Sequence, residues 1–281
     1  MTEVPDPNRK TYLGMRDGDL DGEWFAKYWN PNMKPLPDHI VDALNVSPVA
    51  TELCLPFDKA GTLLDDGYQD LENGYSLLED GSMHIAVHTH MPRVEPIMWD
   101  WWFWWHGTQT ERYKLWYPRA HLYSALVPSD YDESTPYRDR YIGLDSYVDE
   151  YVGESAGQLV IQFRDPELLG LDVNRLSEQG ATAIVGIVGM SGLPLDWGYL
   201  MHYVRPVPGG SEMRSRFWMG GPHVKARGDA TLPDEASGLV EALSHMDVNR
   251  AREMVIHCSS EMNHLAEFLP AIYAEHLERN E

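Results

Sequence analysis

The chain has 281 residues and carries 44 Asp and Glu against 22 Lys and Arg, a formal net charge of −22. So acidic a surface repels a phosphate backbone, whose affinity for proteins rests on Lys and Arg displacing counterions, and nucleic-acid binding is excluded. Apolar residues make up 43% and charged residues 23%, ordinary globular usage, so the excess acid decorates a folded protein. The length suits one large domain, or one with a smaller companion. Two cysteines, Cys54 and Cys258, are too few for a disulfide framework, and the start MTEVPDPNRK lacks a basic-then-apolar leader, so a reducing, cytoplasmic compartment is expected. The longest apolar stretches, Pro96 to Trp105 and Ala181 to Leu195, are interrupted by Asp100 or by glycines and fall short of the ~20 residues a membrane helix needs.

Prolines 5, 7, 31, 35, 37 and 56 punctuate the first eighty residues, with a short helical pattern over Asp38 to Leu44. Residues 1–80 therefore read as a small N-terminal helical region and residues 81–281 as the main domain. From Ser82 the texture changes. Met83 to Thr89 alternates, and Gln158 to Phe163, Ala181 to Val188, Trp197 to Val204 and Met213 to Met219 share the signature of strands, as does Ser146 to Val152. Between them, Met98 to His106 reads MWDWWFWWH and holds Trp99, Trp101, Trp102, Trp104 and Trp105, half of the ten tryptophans. Asp100 to Trp105 and Thr108 to Leu115 suit helix better than strand, and each ring taken singly suits a core position. From Asp247 to Glu278 there is no glycine, Asp247 or Asn249 can cap the start, and Met254, Cys258, Met262, Leu265, Phe268 and Leu269 recur at helical spacing. One long amphipathic helix is predicted there, kinked near Pro270. Strands followed by one long terminal helix predict an α+β domain with an antiparallel sheet wrapped around that helix.

Phosphate-binding glycine loops and a GxSxG nucleophile elbow are absent. The histidines carry more. His257 and Glu261 lie four apart on the predicted helix, so both project from one face, and His264 continues the stripe. Imidazole and carboxylate in that arrangement suit a divalent metal if further ligands arrive from elsewhere; a solvated His–Glu pair is the plain alternative. His106, His121, Glu150 and Glu154 are candidates to complete the shell. His84, His88 and His90 share one strand face and offer a competing metal site, while His202 is either a satisfied core histidine or a general acid/base.

The segment DWWFWWHGTQTERYKLWYPRAH over Asp100 to His121, with FRDPELLG over Phe163 to Gly170, SRFWMG over Ser215 to Gly220 and the terminal His257-x3-Glu261, resembles the 2,4-diacetylphloroglucinol hydrolase and phloretin hydrolase family. That resemblance implies a Bet v 1-like helix-grip fold behind a small helical region, and a homodimer. It implies a Zn²⁺-dependent hydrolase that cuts the carbon–carbon bond between a polyhydroxylated ring and an acyl group of a small acylphenol substrate. Carried over residue by residue, the metal ligands are His121, a glutamate, His257 and Glu261. Glu150 and Glu154 both sit near the required distance; Glu150 is favoured because it lies within the apparent strand, whereas Glu154 follows Gly153 in the turn. Tyr113, His202 and Glu261 take catalytic roles, one carboxylate alternating between ligand and base. Tyr113, Ser124, His202 and Phe217 contact the substrate, and the tryptophan run with Tyr113 forms flat walls around the ring. Two positions depart from the family pattern: Phe217 stands where a tyrosine is expected and Ser124 where an asparagine is expected, which bears on the choice of substrate. Two rival readings remain, a non-catalytic carrier of hydrophobic phenols and a metal-dependent aromatic-ring oxygenase.

Overall fold

The computed structural model describes residues 5–126 and 131–280. The N-terminal region contains an α-helix, α1 (Asp38–Val46), and three 3-10 helices, of which Phe57–Leu64 is the longest. The sheet strands are β1 (Gly74–Leu77), β2 (Ser82–Pro92), β3 (His121–Leu126), β4 (Asp145–Val152), β5 (Ser155–Arg164), β6 (Thr182–Met190), β7 (Leu195–Val207), β8 (Gly210–Gly220) and β9 (Lys225–Ala226). Between β2 and β3 run α2 (Pro96–His106) and α3 (Thr110–Trp116), between β5 and β6 runs α4 (Val173–Glu178), and α5 (Ser237–Ser244) and α6 (Val248–Asn280) end the chain. The strands pair antiparallel in the order β1-β2-β8-β7-β6-β5-β4-β3, with β9 beside β7. The sheet thus begins at Gly74, ahead of residue 81.

Helix α6 is the axis of the molecule. Ala251, Val255, Cys258, Met262, Leu265, Leu269 and Ile272 recur every three or four residues and are all fully buried, a single apolar stripe laid against the concave face of the sheet. Asp247 caps its start by accepting from the backbone N–H groups of Asn249 at 2.8 Å and Arg250 at 3.0 Å. The helix runs unbroken through Pro270. This is the helix-grip α+β arrangement that the sequence predicts.

Alternation along the strands sorts two environments. Met83, Ile85, Leu200, Val204, Phe217 and Met219 face α6 and belong to its core, whereas Tyr199, Met201, Tyr203 and Trp218 face away. That outer face is also dry, because Leu55, Ala60, Leu63 and Leu64 of the N-terminal region and Leu169, Leu171 and Leu176 fold over it. Strands covered on both faces read as near-continuous apolar runs, which is why β7 shows so little alternation.

Candidate active site and metal centre

His121 opens β3 and stands directly opposite Glu150 of β4 in the ladder, so the two side chains share the face turned toward α6. The register shifts between His121 and Tyr123, a local irregularity of the kind that re-aims a side chain next to functional sites. From the other side α6 brings His257 and Glu261 one turn apart. Among the described residues, His121, His257 and Glu261 are the group able to hold a metal ion: one ligand atom from each lies within 4.8 Å of the others, and all three residues are buried. Glu261 Oε2 is 3.4 Å from His121 Nε2 and 3.6 Å from His257 Nε2. Glu150 Oε2 adjoins them, 3.7 Å from His121 Nε2 and 4.0 Å from His257 Nε2.

Backbone carbonyls fix which ring nitrogen faces inward. His121 Nδ1 donates to the Tyr113 carbonyl at 2.9 Å and His257 Nδ1 to the Tyr151 carbonyl at 2.9 Å, so each Nε2 is presented to the centre. This pairing of Nδ1–H with a carbonyl is the usual outer support of a metal-binding histidine. His121 Nε2 is buried with no hydrogen-bond partner. The wall of the cavity around these groups contains Glu150 and Glu261 but neither Lys nor Arg. Buried carboxylates without a fixed cation call for one, and two imidazole nitrogens with two carboxylates are a donor set that a divalent ion such as zinc accepts. The residues therefore fit a metal. Burial disfavours the charged His257, but the Glu261 carboxylate outweighs burial and raises it to about 9; burial likewise opposes ionisation of Glu261, which the His257 charge and its hydrogen bonds hold at about 2.

The profile of the DAPG hydrolase PhiG domain matches residues 55–274, a span that contains all four groups. The chain belongs to the DAPG hydrolase family. It is 30% identical over 262 residues to the 2,4-diacetylphloroglucinol hydrolase of a Pseudomonas species, covering 89% of this chain and 87% of that one. It is 29% identical over 260 residues to the phloretin hydrolase of Eubacterium ramulus, covering 89% of each. Among solved structures it is similar to norcoclaurine synthase from Thalictrum flavum, with 15% identity, 70% of this chain and 90% of that chain covered, and a TM-score of 0.34. A second likeness is to Ara h 8.0201, with 14% identity, 63% and 99% coverage and a TM-score of 0.30.

In this member of the DAPG hydrolase family the cavity holds about 80 Å³ and is closed by Phe103, His106, Tyr113, Trp116, His202 and Phe217 around the carboxylates. Tyr113 stacks on His121, and burial, followed by the Glu150 charge, keeps its phenol protonated well above the ordinary range, so its hydroxyl donates to Glu150. His202 is hydrogen-bonded through Nδ1 to Ser215 Oγ at 2.8 Å and stacks on Phe103. Burial lowers it to about 4 and His106 to about 3, so both are neutral at pH 7. Phe217 presents its ring edge to His202.

Several expected placements differ. The tryptophan run does not line the cavity. Trp99, Trp101 and Trp102 are wholly buried and Trp105 nearly so, packed among themselves and against Phe25, Tyr273 and Phe268. Helix α2 is apolar all round, so its rings go to the core, and only Phe103 and His106, three residues apart, reach the cavity. Ser124 lies outside the lining, and its hydroxyl donates instead to the Gly107 carbonyl at 3.2 Å. His264 sits two turns, ~10 Å, along α6 from His257, too far to share an ion. Glu154 is exposed beyond the end of β4. His84, His88 and His90 occupy the outer face of β2 and, at ~3.4 Å per residue, spread over ~20 Å, beyond the reach of one metal. His84 is buried under Trp218, His88 is 2.7 Å from Glu212, and His90 is exposed. Asp100 is tied to Tyr141 and Thr182, away from the cavity. Phe103, Trp116, Ser146 and Met254 line the site and carry no signal in the sequence; Met254, one turn before His257 on α6, reads only as part of the apolar stripe.

Both cysteines are free and buried, and among the described residues no helix is long and apolar enough to cross a membrane.

Proposed function

We propose that this chain is a zinc-dependent hydrolase that cuts the carbon–carbon bond joining an acyl group to a polyhydroxylated aromatic ring, releasing the carboxylic acid and the deacylated phenol in the cytoplasm. The observation that carries this reading is the convergence of buried His121, His257 and Glu261 with the half-buried Glu150 beside a cavity that has no lysine or arginine in its wall. Membership of a family whose relatives are named 2,4-diacetylphloroglucinol hydrolase and phloretin hydrolase supports it and suggests the ring. Free buried cysteines support the reducing compartment.

Aryl ketone and water become arene and carboxylic acid. Water adds through oxygen to the acyl carbon, the bond from that carbon to the already protonated ring carbon breaks, and its electron pair passes through the ring to a ring oxygen, which takes up a proton. Ring hydroxyls ortho and para to the acyl group make this feasible, since the ring carbon is protonated in a keto tautomer before the bond breaks. His121, Glu150, His257 and Glu261 would hold a zinc ion, which would supply Lewis acidity and lower the pKa of a water toward ~7. The remaining work falls to this chain's own groups. Glu150 and Glu261 are the acceptors for the proton that water gives up. Tyr113 sets the availability of Glu150, because its hydroxyl donates to that carboxylate. His202, neutral and held by Ser215, is positioned to take a proton from a ring hydroxyl and then hand one to the ring carbon. Phe103, Trp116 and Phe217 exclude bulk water and press on the flat ring.

The test is elemental analysis of the purified protein beside an assay of acylphloroglucinols and dihydrochalcones for free acid. One zinc per chain with acid release, and loss of both in His257→Ala, is expected. Metal and activity retained in that variant would remove the site. Iron with oxygen consumption would make the protein an oxygenase, and phenol binding without metal or turnover a carrier.

A further inference from the structure

Residues 6–19 lie ahead of the span 55–274 that matches the family profile and form neither helix nor strand, yet they are pinned to the main domain at two buried charged residues, Lys114 and Asp149. Each adjoins a group of the candidate metal centre. Lys114 follows Tyr113, and its Nζ donates to the Gly14 carbonyl at 2.9 Å and lies 3.5 Å from the centre of the Tyr12 ring. Asp149 precedes Glu150, and its carboxylate accepts from Arg9 Nη2. Successive residues of a strand point to opposite faces, so Asp149 turns away from α6 while Glu150 turns toward it.

The Arg9 guanidinium also lies over the ring of Tyr123, 4.5 Å from its centre. Tyr123 of β3 and Asp149 of β4 are ladder partners next to the His121–Glu150 pair, on the far side of the register shift. Arg9 therefore grips both strands where the ladder is irregular. Strand β3 ends the strand order, so β4 is its one ladder partner among the described strands. Within the segment, Asp19 accepts from the Tyr12 hydroxyl at 2.8 Å and from the Arg16 backbone N–H at 2.7 Å. Gln158 Nε2 of β5 donates to the Pro7 carbonyl at 3.1 Å, which ties the segment down as a strap.

We propose, resting on the metal site of the proposed hydrolase, that the strap of residues 6–19 positions the zinc ligands, with Arg9 and Lys114 acting through the residues beside them. Tyr113 touches His121 with its ring and Glu150 with its hydroxyl, so α3 and the β3–β4 pair must keep their spacing for these groups to converge. The strap spans the same two elements from outside, anchored on α3 through Lys114 and on β3 and β4 through Arg9. Without Arg9, Asp149 is a buried carboxylate that has lost its cation; it turns toward water and carries the β4 backbone, and Glu150 with it, away from α6. A pure charge effect has the opposite sign. Removing a positive charge from the neighbourhood of a divalent cation tightens its binding, whereas displacing a ligand weakens it. The coupling is also reciprocal: a strap that holds the ligands in place is itself held down by bound zinc, by the same factor.

The experiment measures zinc affinity of the full chain, by competition with a chromophoric chelator, for the unaltered protein, Arg9→Met and Lys114→Met. Beside it, amide hydrogen exchange of residues 9–16 is followed in the unaltered protein with and without zinc. Arg9→Met is expected to keep its cooperative thermal transition and to bind zinc at least about tenfold more weakly, and Lys114→Met tests the other anchor should the first variant not fold. Zinc is expected to slow exchange in the strap by a similar factor. Unchanged or tighter zinc binding in a folded variant overturns the positioning role, as does exchange in the strap that is indifferent to zinc, a readout that needs no variant. Failure of the unaltered protein to bind zinc overturns the metal site itself, and the strap's role falls with it.

Discussion

The ring of Tyr113 lies flat on the imidazole of His121, centroids 3.6 Å apart and planes within 3°, while its hydroxyl donates to Glu150. One residue thus touches both the imidazole of the candidate metal centre and the carboxylate beside it. Its backbone carbonyl also accepts from His121 Nδ1. Removing the hydroxyl alone separates these roles. Tyr113→Phe is expected to keep the stack and the carbonyl contact but release Glu150, lowering kcat or metal affinity by about 10- to 100-fold, as loss of such outer support commonly does. Metal stoichiometry and kcat measured on the same preparation check it; wild-type values for both would take the hydroxyl out of the mechanism.

Glu150 and Glu154 differ by four positions and by everything structural. Glu150 faces His121 across the ladder, and Glu154 is exposed in the turn between β4 and β5. Glu150→Gln is expected to lower zinc affinity at least about tenfold, since the neutral amide removes one of two buried negative charges facing the ion. Glu154→Gln is expected to leave it within twofold. Competition against a chromophoric chelator measures both, and equal effects would sink the assignment.

The reach of the sequence follows from which periodicities survive folding. Helix α6 was legible to its cap, because Asp247 and the stripe through Cys258, Met262 and Leu265 are local signals. So were six strands of the sheet and the pairing of His257 with Glu261, a consequence of helical spacing alone. Strand β3 was not anticipated: it has six residues, begins on a histidine and buries an irregular subset of its side chains. The convergence of His121 with Glu150 depends on strand register, which no local pattern encodes: the residues alone leave His106, His121, Glu150 and Glu154 as open candidates, and the family resemblance selects among them. The tryptophans of α2 misled for the converse reason. A helix apolar on every side has no phase from which to read the face that meets a ligand.

Phe217 bears on specificity. Its ring lines the cavity, edge-on to His202 with centroids 5.7 Å apart, on the strand that supplies Ser215 to the same histidine. Phe217→Tyr adds a hydroxyl to a wall that currently offers none at that point. For ring-hydroxylated ketones that can pair with it, kcat/KM is expected to rise relative to analogues lacking one ring hydroxyl, by about tenfold. A substrate profile identical to wild type would show that the ring does not approach this wall.

Asp100 makes a prediction about pH and stability that is independent of the metal. Burial raises its carboxyl to about 6, against the opposing hydrogen bonds from Thr182 and Tyr141. The native state therefore holds a proton that the unfolded chain has already lost between pH 3.8 and about 6, so this group's contribution to stability declines as pH rises through that window. Both hydrogen bonds, at 2.7 Å and 3.1 Å, go to Oδ1, an acceptor that asparagine retains. Asp100→Asn is expected to raise stability at pH 7 by at most about 3 kcal/mol and to leave it unchanged at pH 3. Urea unfolding at the two pH values decides; destabilisation at pH 7 would mean that the charge itself is favourable there.

On the outer face of the sheet, Glu72 carries two cations at once. Arg214 and Arg216 alternate on β8 with side chains fully out of solvent; Arg214 donates to Glu72 through Nη2 at 2.5 Å and Nε at 3.1 Å, and Arg216 through Nη2 at 2.7 Å. The two guanidiniums also donate to the Leu63 and Leu71 carbonyls, so the cluster clips the N-terminal region onto the strand whose inner face bears Ser215 and Phe217. Burial opposes ionisation of Glu72, but the two arginines prevail and hold it at about 2. The depressed pKa means that the stabilisation is complete above pH 4.5 and is lost as pH falls toward 2. Glu72→Gln leaves two buried guanidiniums facing one neutral amide, and breaking a buried pair in this one-sided way typically costs ~3–5 kcal/mol. The variant is expected to lose that much in urea unfolding at pH 7 and to show a smaller deficit at pH 3, where the wild-type interaction has begun to fail. An equal deficit at both pH values would assign the loss to packing rather than to the charge of Glu72.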